Sequence, residues 1–220
     1  MTVHAICYAR STLPESMVLS GGDPGTRCPI VFLLYLIDMG SRKILVDAGC
    51  DDLPGFVLED WVSPADALRN YGIQPERITD VILTHAHHDH IQGVYHFPNA
   101  VIHIQEEEYR KGRSYIPPEA EVSLFAEECT VAGCVRVLKI GGHSAGSCIA
   151  LLDTPHACLV FGGDECYLPV CFQRRIPTGA CHDPEKSRDF LEKYSASRYR
   201  ILLSHDPEIQ TGKLFTIGKE

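Results

Sequence analysis

The stretch Thr84-His85-Ala86-His87-His88-Asp89-His90-Ile91-Gln92-Gly93 places five groups that can bind a transition metal within six residues. It follows residues 80–83, Asp-Val-Ile-Leu, an apolar run typical of a buried strand. His85 and His87 are two residues apart, so they cannot share one face of a helix as an i, i+4 pair would. We therefore expect the two imidazoles to converge where the chain leaves the strand and turns, with Gly93 easing the bend.

Two further potential ligands, Asp89 and His90, follow in the same loop. Together with His85 and His87 they exceed the needs of one tetrahedral zinc ion. The sequence therefore predicts two metal ions, one served by His85 and His87 and the other by Asp89 and His90. The alternative is a polar loop whose histidines bind no metal.

Three more potential ligands each end or follow a strand-like run further along the chain. They are His143 after residues 139–142, Asp164 after residues 159–163, and His205 after residues 201–204. A single histidine or aspartate at a strand end is usually a solvated loop residue. Three of them downstream of the first cluster favour one shared site with two metals.

In this order of ligands the sequence resembles the metallo-β-lactamase superfamily, from about Pro29 to the end of the chain. The resemblance implies one metal on His85, His87 and His143, and a second metal on Asp89, His90 and His205. It also implies that Asp164 bridges the two ions. Asp47, which closes the run Lys-Ile-Leu-Val-Asp at residues 43–47, matches an upstream aspartate that supports the ligands without binding a metal itself.

The periodicity of the chain by itself indicates only an α/β protein, because runs rich in Val, Ile and Leu alternate with helix-like segments. The resemblance adds a single domain over residues 1–220 with the αββα sandwich, two facing mixed β-sheets flanked by helices. Residues 11–29 are rich in Gly, Pro and Ser and predict a long loop. Residues 118–129 predict a helix. Ser63-Pro64 and Asp183-Pro184 are typical of helix starts.

Imidazole and carboxylate ligands suit zinc, and also iron, manganese or cobalt. Two such ions can generate hydroxide from water near pH 7 and polarise a carbonyl or phosphoryl oxygen. We therefore expect a hydrolase that needs no serine or cysteine nucleophile.

Three local features are similar to N-acyl homoserine lactone lactonases, the quorum-quenching enzymes. Tyr167 stands three residues after Asp164, residues 98–100 read Pro-Asn-Ala, and residues 183–185 read Asp-Pro-Glu. The resemblance implies that a metal-bridging hydroxide attacks the lactone carbonyl, that Tyr167 hydrogen-bonds the reacting ester, and that Asp89 protonates the departing oxygen. One departure is Ala145, where relatives often have proline, and it should loosen that turn.

Two other functions remain open at this point. The first is a different hydrolase of the same superfamily, either a glyoxalase II-like thioesterase or a phosphodiesterase, for which Arg174 and Arg175 could hold a phosphate or carboxylate. The second is a binding or sensor protein that retains the fold without catalysis.

Apolar residues are frequent in the loops around the predicted site, which fits an acyl chain better than a charged substrate. The expected partner is therefore a small molecule with an acyl chain. Besides Tyr167, the candidates for its pocket are Met17, Leu19, Phe56, Trp61 and Phe172.

The composition sets further limits on function. A net charge of −9 argues against a nucleic-acid partner, which requires a basic surface. No apolar run approaches the roughly 18 residues that cross a bilayer, so no membrane partner is expected. The first residues lack the pattern of a secretory signal, so we expect a cytoplasmic protein whose ten cysteines are reduced thiols. No oligomeric state is indicated.

Overall fold

Two mixed β-sheets face each other in the computed structural model, which describes residues 1–217. The strands of these residues are β1 Thr2–Pro14, β2 Arg27–Asp38, β3 Lys43–Val46, β4 Asp80–Ile82, β5 Val101–Gln105, β6 Val122–Phe125, β7 Glu128–Val131, β8 Val135–Lys139, β9 Cys148–Asp153, β10 Cys158–Phe161, β11 Tyr199–Leu202 and β12 Gly212–Thr216. The first sheet has the order β12-β1-β2-β3-β4-β5-β6, and the second has the order β11-β10-β9-β8-β7. Parallel pairs run from β3 to β6 in the first sheet and join β10 to β11 in the second.

Helices cover the outer faces of both sheets. They are α1 Glu15–Val18, α2 Pro64–Asn70, α3 His88–Ile91, α4 Glu106–Gly112, α5 Val170–Arg174 and α6 Pro184–Lys193. Leu68 of α2 belongs to the apolar layer outside the first sheet, and Phe190 of α6 belongs to the layer outside the second. The predicted αββα sandwich is therefore confirmed. Within residues 1–217, no helix is long and apolar enough to span a bilayer.

Strand β2 shows why the sequence folds into four layers. Its side chains point alternately to opposite faces of the sheet. Phe32 and Leu34 contact the helix-covered outer layer, while Leu33 and Tyr35 enter the layer between the two sheets. Because both faces are buried from Ile30 to Ile37, this part of the strand is apolar throughout. Each fully buried aliphatic or aromatic side chain contributes roughly 1.5–3 kcal/mol.

The secondary-structure predictions for two segments are wrong. Residues 11–29 are not a long loop, because β1 continues to Pro14 and pairs there with Arg27 at the start of β2. The Gly- and Pro-rich residues only connect α1 to β2. Residues 118–129 are not a helix, because they contain β6 and begin β7. Pairing of β6 with β5 and of β7 with β8 outweighs the local helix preference.

The two predicted helix starts are confirmed by their caps. The Ser63 hydroxyl accepts a hydrogen bond from the Asp66 amide at 3.1 Å. The Asp183 carboxylate accepts from the amides of Glu185 and Lys186 at 3.1 and 3.2 Å. These bonds satisfy amide groups that a helix start otherwise leaves without partners.

All ten cysteines are free thiols in the structure. Cys50, Cys148, Cys166 and Cys171 are buried, and burial raises the pKa of Cys50 to about 12. A buried thiol that stays protonated behaves as a small apolar side chain. The arrangement agrees with the expectation of reduced cysteines.

Gly93 has a different role from the predicted one. It lies in a 3₁₀ segment, Gln92–His96, and its amide donates to the Gly49 carbonyl at 2.7 Å. A Cβ at this position would lie 2.5 Å from the carbonyl oxygen of Ala48. Glycine is therefore required because two backbone segments approach closely, and not because the chain bends there.

We expect Gly93→Ala to lower the free energy of unfolding by about 1–3 kcal/mol, because the added methyl group overlaps backbone that cannot move without strain. Urea denaturation followed by circular dichroism measures the change. Gly25→Ala is the matched control, since its Cβ would make only an ordinary contact with Asp23. Equal stability of the two variants would contradict the close-approach argument.

Candidate metal centre

The seven predicted ligands lie together at one edge of the two sheets, where several strands end. His85 follows β4, His143 follows β8, Asp164 follows β10 and His205 follows β11. Their potential ligand atoms form two groups in which all atoms lie within 4.8 Å of one another. The first group contains His85, His87, His143 and Asp164, and the second contains Asp89, His90 and His205.

Asp164 faces both groups. Its Oδ2 lies 3.7 Å from His85 Nε2 and 3.6 Å from His143 Nε2. Its Oδ1 lies 3.2 Å from His90 Nε2 and 3.1 Å from His205 Nε2. One carboxylate oxygen therefore points to each group, which is the geometry that a bridging ligand requires.

The polar atoms of the first group are arranged as a cation would require. His87 Nδ1 lies 3.0 Å from His85 Nε2 and 2.9 Å from His143 Nε2. Burial lowers the pKa of His85 well below its ordinary value and that of His143 to about 4, so both rings are neutral. Three converging imidazole nitrogens cannot all hydrogen-bond one another. Their spacing is close to the roughly 3.3 Å expected between nitrogens bound tetrahedrally at about 2.0–2.1 Å.

The second group also contains buried polar atoms that hydrogen bonds do not satisfy. His90 Nε2 and Asp164 Oδ1 are fully buried and have no hydrogen-bond partner. Burial opposes ionisation of Asp164, but His90 and His205 outweigh it and hold its pKa well below the ordinary value. An ionised, buried carboxylate beside such nitrogen atoms suits a divalent cation.

Hydrogen bonds behind the histidines fix which nitrogen faces the site. Asp47 Oδ2 lies 2.8 Å from His90 Nδ1, while Asp47 Oδ1 accepts from the Thr84 amide and hydroxyl at 2.8 and 2.9 Å. Thr84 Oγ1 lies 3.1 Å from His85 Nδ1. His205 Nδ1 donates to the Val31 carbonyl at 2.9 Å. In His85, His90 and His205 the Nε2 atom is therefore left for the site, with the other ring nitrogen held by a hydrogen-bond partner as is usual for metal-binding imidazoles.

Asp47 therefore occupies the position expected of a supporting residue. Its backbone is in the left-handed region with φ +62°, which turns the carboxylate towards Thr84 and His90. Thr84 was not predicted, although it directly precedes His85. Its hydroxyl links Asp47 to His85, a role that only the three-dimensional arrangement reveals.

A cavity of about 320 Å³ opens above the two groups. Its apolar wall is formed by Leu13, Met17, Ile30, Phe32, Leu53, Phe56 and Ala180, and Tyr167 lines it beside the predicted ligands. Met17, Phe56 and Tyr167 were predicted. Leu13, Ile30 and Phe32 were not, because the pairing that brings the β1–β2 tip to the site is not apparent from the sequence. Leu53 and Ala180 were not predicted either.

Three predicted pocket residues do not line this cavity. Leu19 is buried in the apolar layer outside the second sheet. Phe172 packs against Phe190 of α6, with ring centroids 5.5 Å apart. Trp61 is 42% exposed and borders a shallow hollow on the outer side of residues 52–61.

Tyr167 is 5% exposed, and its ring lies 5.8 Å from that of His143 and 5.4 Å from that of His205. Burial raises the pKa of its phenol well above the ordinary value. The hydroxyl therefore stays protonated at neutral pH and can act as a hydrogen-bond donor in the cavity.

His88, which the resemblance assigns to neither metal, belongs to neither ligand group. Its Nδ1 lies 3.2 Å from the Tyr115 hydroxyl and its Nε2 lies 3.0 Å from Asp52 Oδ1. Arg174 and Arg175 are exposed and do not line the cavity. They give no support to an anion subsite beside the ligands.

Comparison with known proteins identifies the family. The family model described as Metallo-beta-lactamase superfamily matches residues 33–203. An N-acyl homoserine lactonase from Bacillus cereus is 27% identical over 206 residues, which cover 80% of this chain and 82% of the relative. A hydroxyacylglutathione hydrolase from Glaesserella parasuis is 30% identical over 145 residues, which cover 61% of this chain and 54% of the relative.

A solved structure shares the fold. It is an N-acyl homoserine lactone hydrolase with the product N-hexanoyl-L-homoserine bound at the catalytic metal centre. The two chains superpose with a TM-score of 0.82 and 23% identity, over 94% of each chain. The relatives and the solved structure are hydrolases, which confirms the predicted enzyme class. Because the family model matches most of the sequence, the chain belongs to the metallo-beta-lactamase superfamily.

Proposed function

We propose that this protein is a binuclear metal-dependent lactonase that opens the lactone ring of N-acyl homoserine lactones and so quenches quorum-sensing signals. The observation that carries the proposal is the cavity itself. Its floor contains members of both predicted ligand groups, and its wall is apolar. Such a cavity suits a neutral ring ester with an acyl chain. The likeness to a lactonase over four fifths of the chain supports the same substrate.

The charge of the cavity distinguishes this substrate from the alternatives. Among the described residues that line it, none is lysine or arginine. A glutathione thioester or a phosphodiester carries anionic groups, which a site recognises with cationic side chains. The relative that hydrolyses hydroxyacylglutathione keeps a thioesterase as the second candidate.

The donor set fits two divalent ions, for which zinc is our first choice and iron, manganese and cobalt are chemically suitable. His85, His87 and His143 would hold one ion, Asp89, His90 and His205 the other, and Asp164 would contact both. When bound, such ions provide a hydroxide nucleophile at neutral pH and polarise the ester carbonyl.

The side chains of the cavity supply the remaining steps. The neutral Tyr167 hydroxyl donates a hydrogen bond to the carbonyl oxygen as that atom gains negative charge. Asp89 Oδ2 lies 3.5 Å from both His90 Nε2 and His205 Nε2 and faces the same cavity. Its carboxylate would accept the proton that the attacking water loses and pass that proton to the departing ring oxygen. Met17 and Phe56 hold the acyl chain against the apolar wall.

Protein purified without chelator is expected to carry two metal ions per chain, and removing them should abolish lactone hydrolysis. Asp164→Asn should lower metal content and kcat/KM together, because an amide bridges two cations poorly. Elemental analysis and a lactone-opening assay measure both. One ion or none after reconstitution with zinc would contradict the binuclear proposal, and two ions without hydrolysis of any ester would favour a binding protein.

Acyl-chain length should change the KM for homoserine lactones. Each fully buried methylene adds about 0.8 kcal/mol, which is roughly a fourfold decrease in KM. Phe56→Ala should weaken this dependence, whereas Val57→Ala, at a side chain that is 79% exposed, should not. A flat response from butanoyl to decanoyl chains would contradict the apolar pocket. Faster turnover of lactoylglutathione or a bis-phosphodiester than of any lactone would favour the alternative hydrolases.

Tyr167→Phe should reduce kcat/KM by roughly 10–1000-fold, because it removes one preorganised donor to the developing oxyanion. Metal content and thermal stability should not change, since the phenol is not a predicted ligand. Tyr109→Phe is the control, because Tyr109 lies outside the cavity against Arg113. Retention of wild-type efficiency by Tyr167→Phe on every lactone would show that the tyrosine is structural.

A further inference from the structure

Two buried glutamates contact the loop that bears His143, and the steps proposed above use neither of them. Glu108 of α4 and Glu165, which follows Asp164, are each 1% exposed. A buried carboxylate is costly unless hydrogen bonds satisfy its oxygens. The partners of these two carboxylates therefore show what each one holds in place.

Glu108 connects two loops that carry predicted ligands. Its Oε2 accepts a hydrogen bond from the amide of Ala86, the residue between His85 and His87, at 3.0 Å. Its Oε1 accepts from the Ser144 hydroxyl at 2.8 Å and from the Gly146 amide at 2.9 Å. One carboxylate thus spans the loops that bear all three histidines of the first ligand group.

Glu165 holds the opposite side of the same loop. It accepts from the amides of Gly142 and His143 at 3.3 and 3.2 Å, and from the Ser147 hydroxyl. The loop approaches both glutamates so closely that a Cβ on Gly142 would overlap Glu165, and a Cβ on Gly146 would crowd Gln105 and Glu108. The position of His143 is therefore set from two directions.

We propose that Glu108 is a positioning residue for the metal group of His85, His87 and His143, because its carboxylate fixes the separation of the two loops that carry them. The inference rests on the binuclear centre of the proposed function. It concerns one of the two ions only, since Glu108 makes no hydrogen bond to Asp89, His90 or His205 among the described residues. Hydrogen-bonded groups behind metal ligands typically change metal affinity by about 10–100-fold when removed.

Glu108→Gln is a sharp test because the side chain keeps its shape. An amide has only one acceptor oxygen. If that oxygen keeps Ser144 and Gly146, the NH₂ group faces the Ala86 amide, and two donors oppose each other. The variant therefore loses at least one of the three bonds without opening a cavity.

The measurement is a titration of chelator-treated protein with cobalt(II), followed by visible absorption against a competing chelator. His143→Ala and His205→Ala identify which of the two equivalents belongs to which group. We expect Glu108→Gln to lower the affinity for the cobalt equivalent that is lost in His143→Ala by about 10–100-fold. The affinity for the other equivalent should not change.

The neighbouring variant Glu107→Gln is the matched control. Glu107 contacts Lys139 Nζ at 2.9 Å and does not contact the ligand loops, so both cobalt affinities should match those of the wild type. Unchanged cobalt affinities in Glu108→Gln would overturn the inference. Equal weakening of both equivalents would also overturn it, because it would indicate a general loss of stability that does not select one ion. A wild-type protein that binds a single equivalent contradicts the binuclear centre itself, whatever Glu108→Gln does to that equivalent.

Discussion

The hydrogen bonds of the Asp47 carboxylate join the sheet to the candidate metal centre. One oxygen accepts from Thr84 at the end of β4, and the other contacts His90 in α3. The next residue, Ala48, donates its amide to the His90 carbonyl at 2.8 Å. Side chain and backbone therefore hold the same short helix. Without this carboxylate, two histidines would lose their orientation and a buried threonine would lose its acceptor.

More of the candidate site's ligands than of the residues around them could be predicted from the sequence. The predicted ligands recur at strand ends, and strands that run in the same direction, such as β8, β10 and β11, end at the same edge of a sheet. This is why His143 and His205 lie beside His85 although they are far apart in the chain. Thr84, Glu108 and Glu165 could not be predicted, because their roles depend on which loops meet. A glutamate in the first turn of a helix, such as Glu108, has an ordinary local explanation.

The errors in secondary structure have the same physical origin. Residues 118–129 contain Glu and Ala in a proportion typical of a helix, yet they continue one sheet and begin the other. Residues 11–29 contain turn formers, yet most of the apolar cavity wall comes from this tip and from the start of β2. In both segments, pairing with a distant strand decides the conformation. Local composition identifies where turns occur in the chain, but it does not identify which strands pair with the segments before and after a turn.

The cavity wall and its floor come from different parts of the fold, and this division has an evolutionary consequence. The floor is built on strand ends from both sheets, where a substitution disturbs several buried hydrogen bonds at once. The wall is built largely from the tip of one hairpin and from residues 53 and 56 in a surface loop. Mutations can therefore accumulate in the wall and alter which small molecules fit, while the predicted ligands stay in place. A lineage with this architecture can diversify its substrates by small steps, each of which preserves a working enzyme.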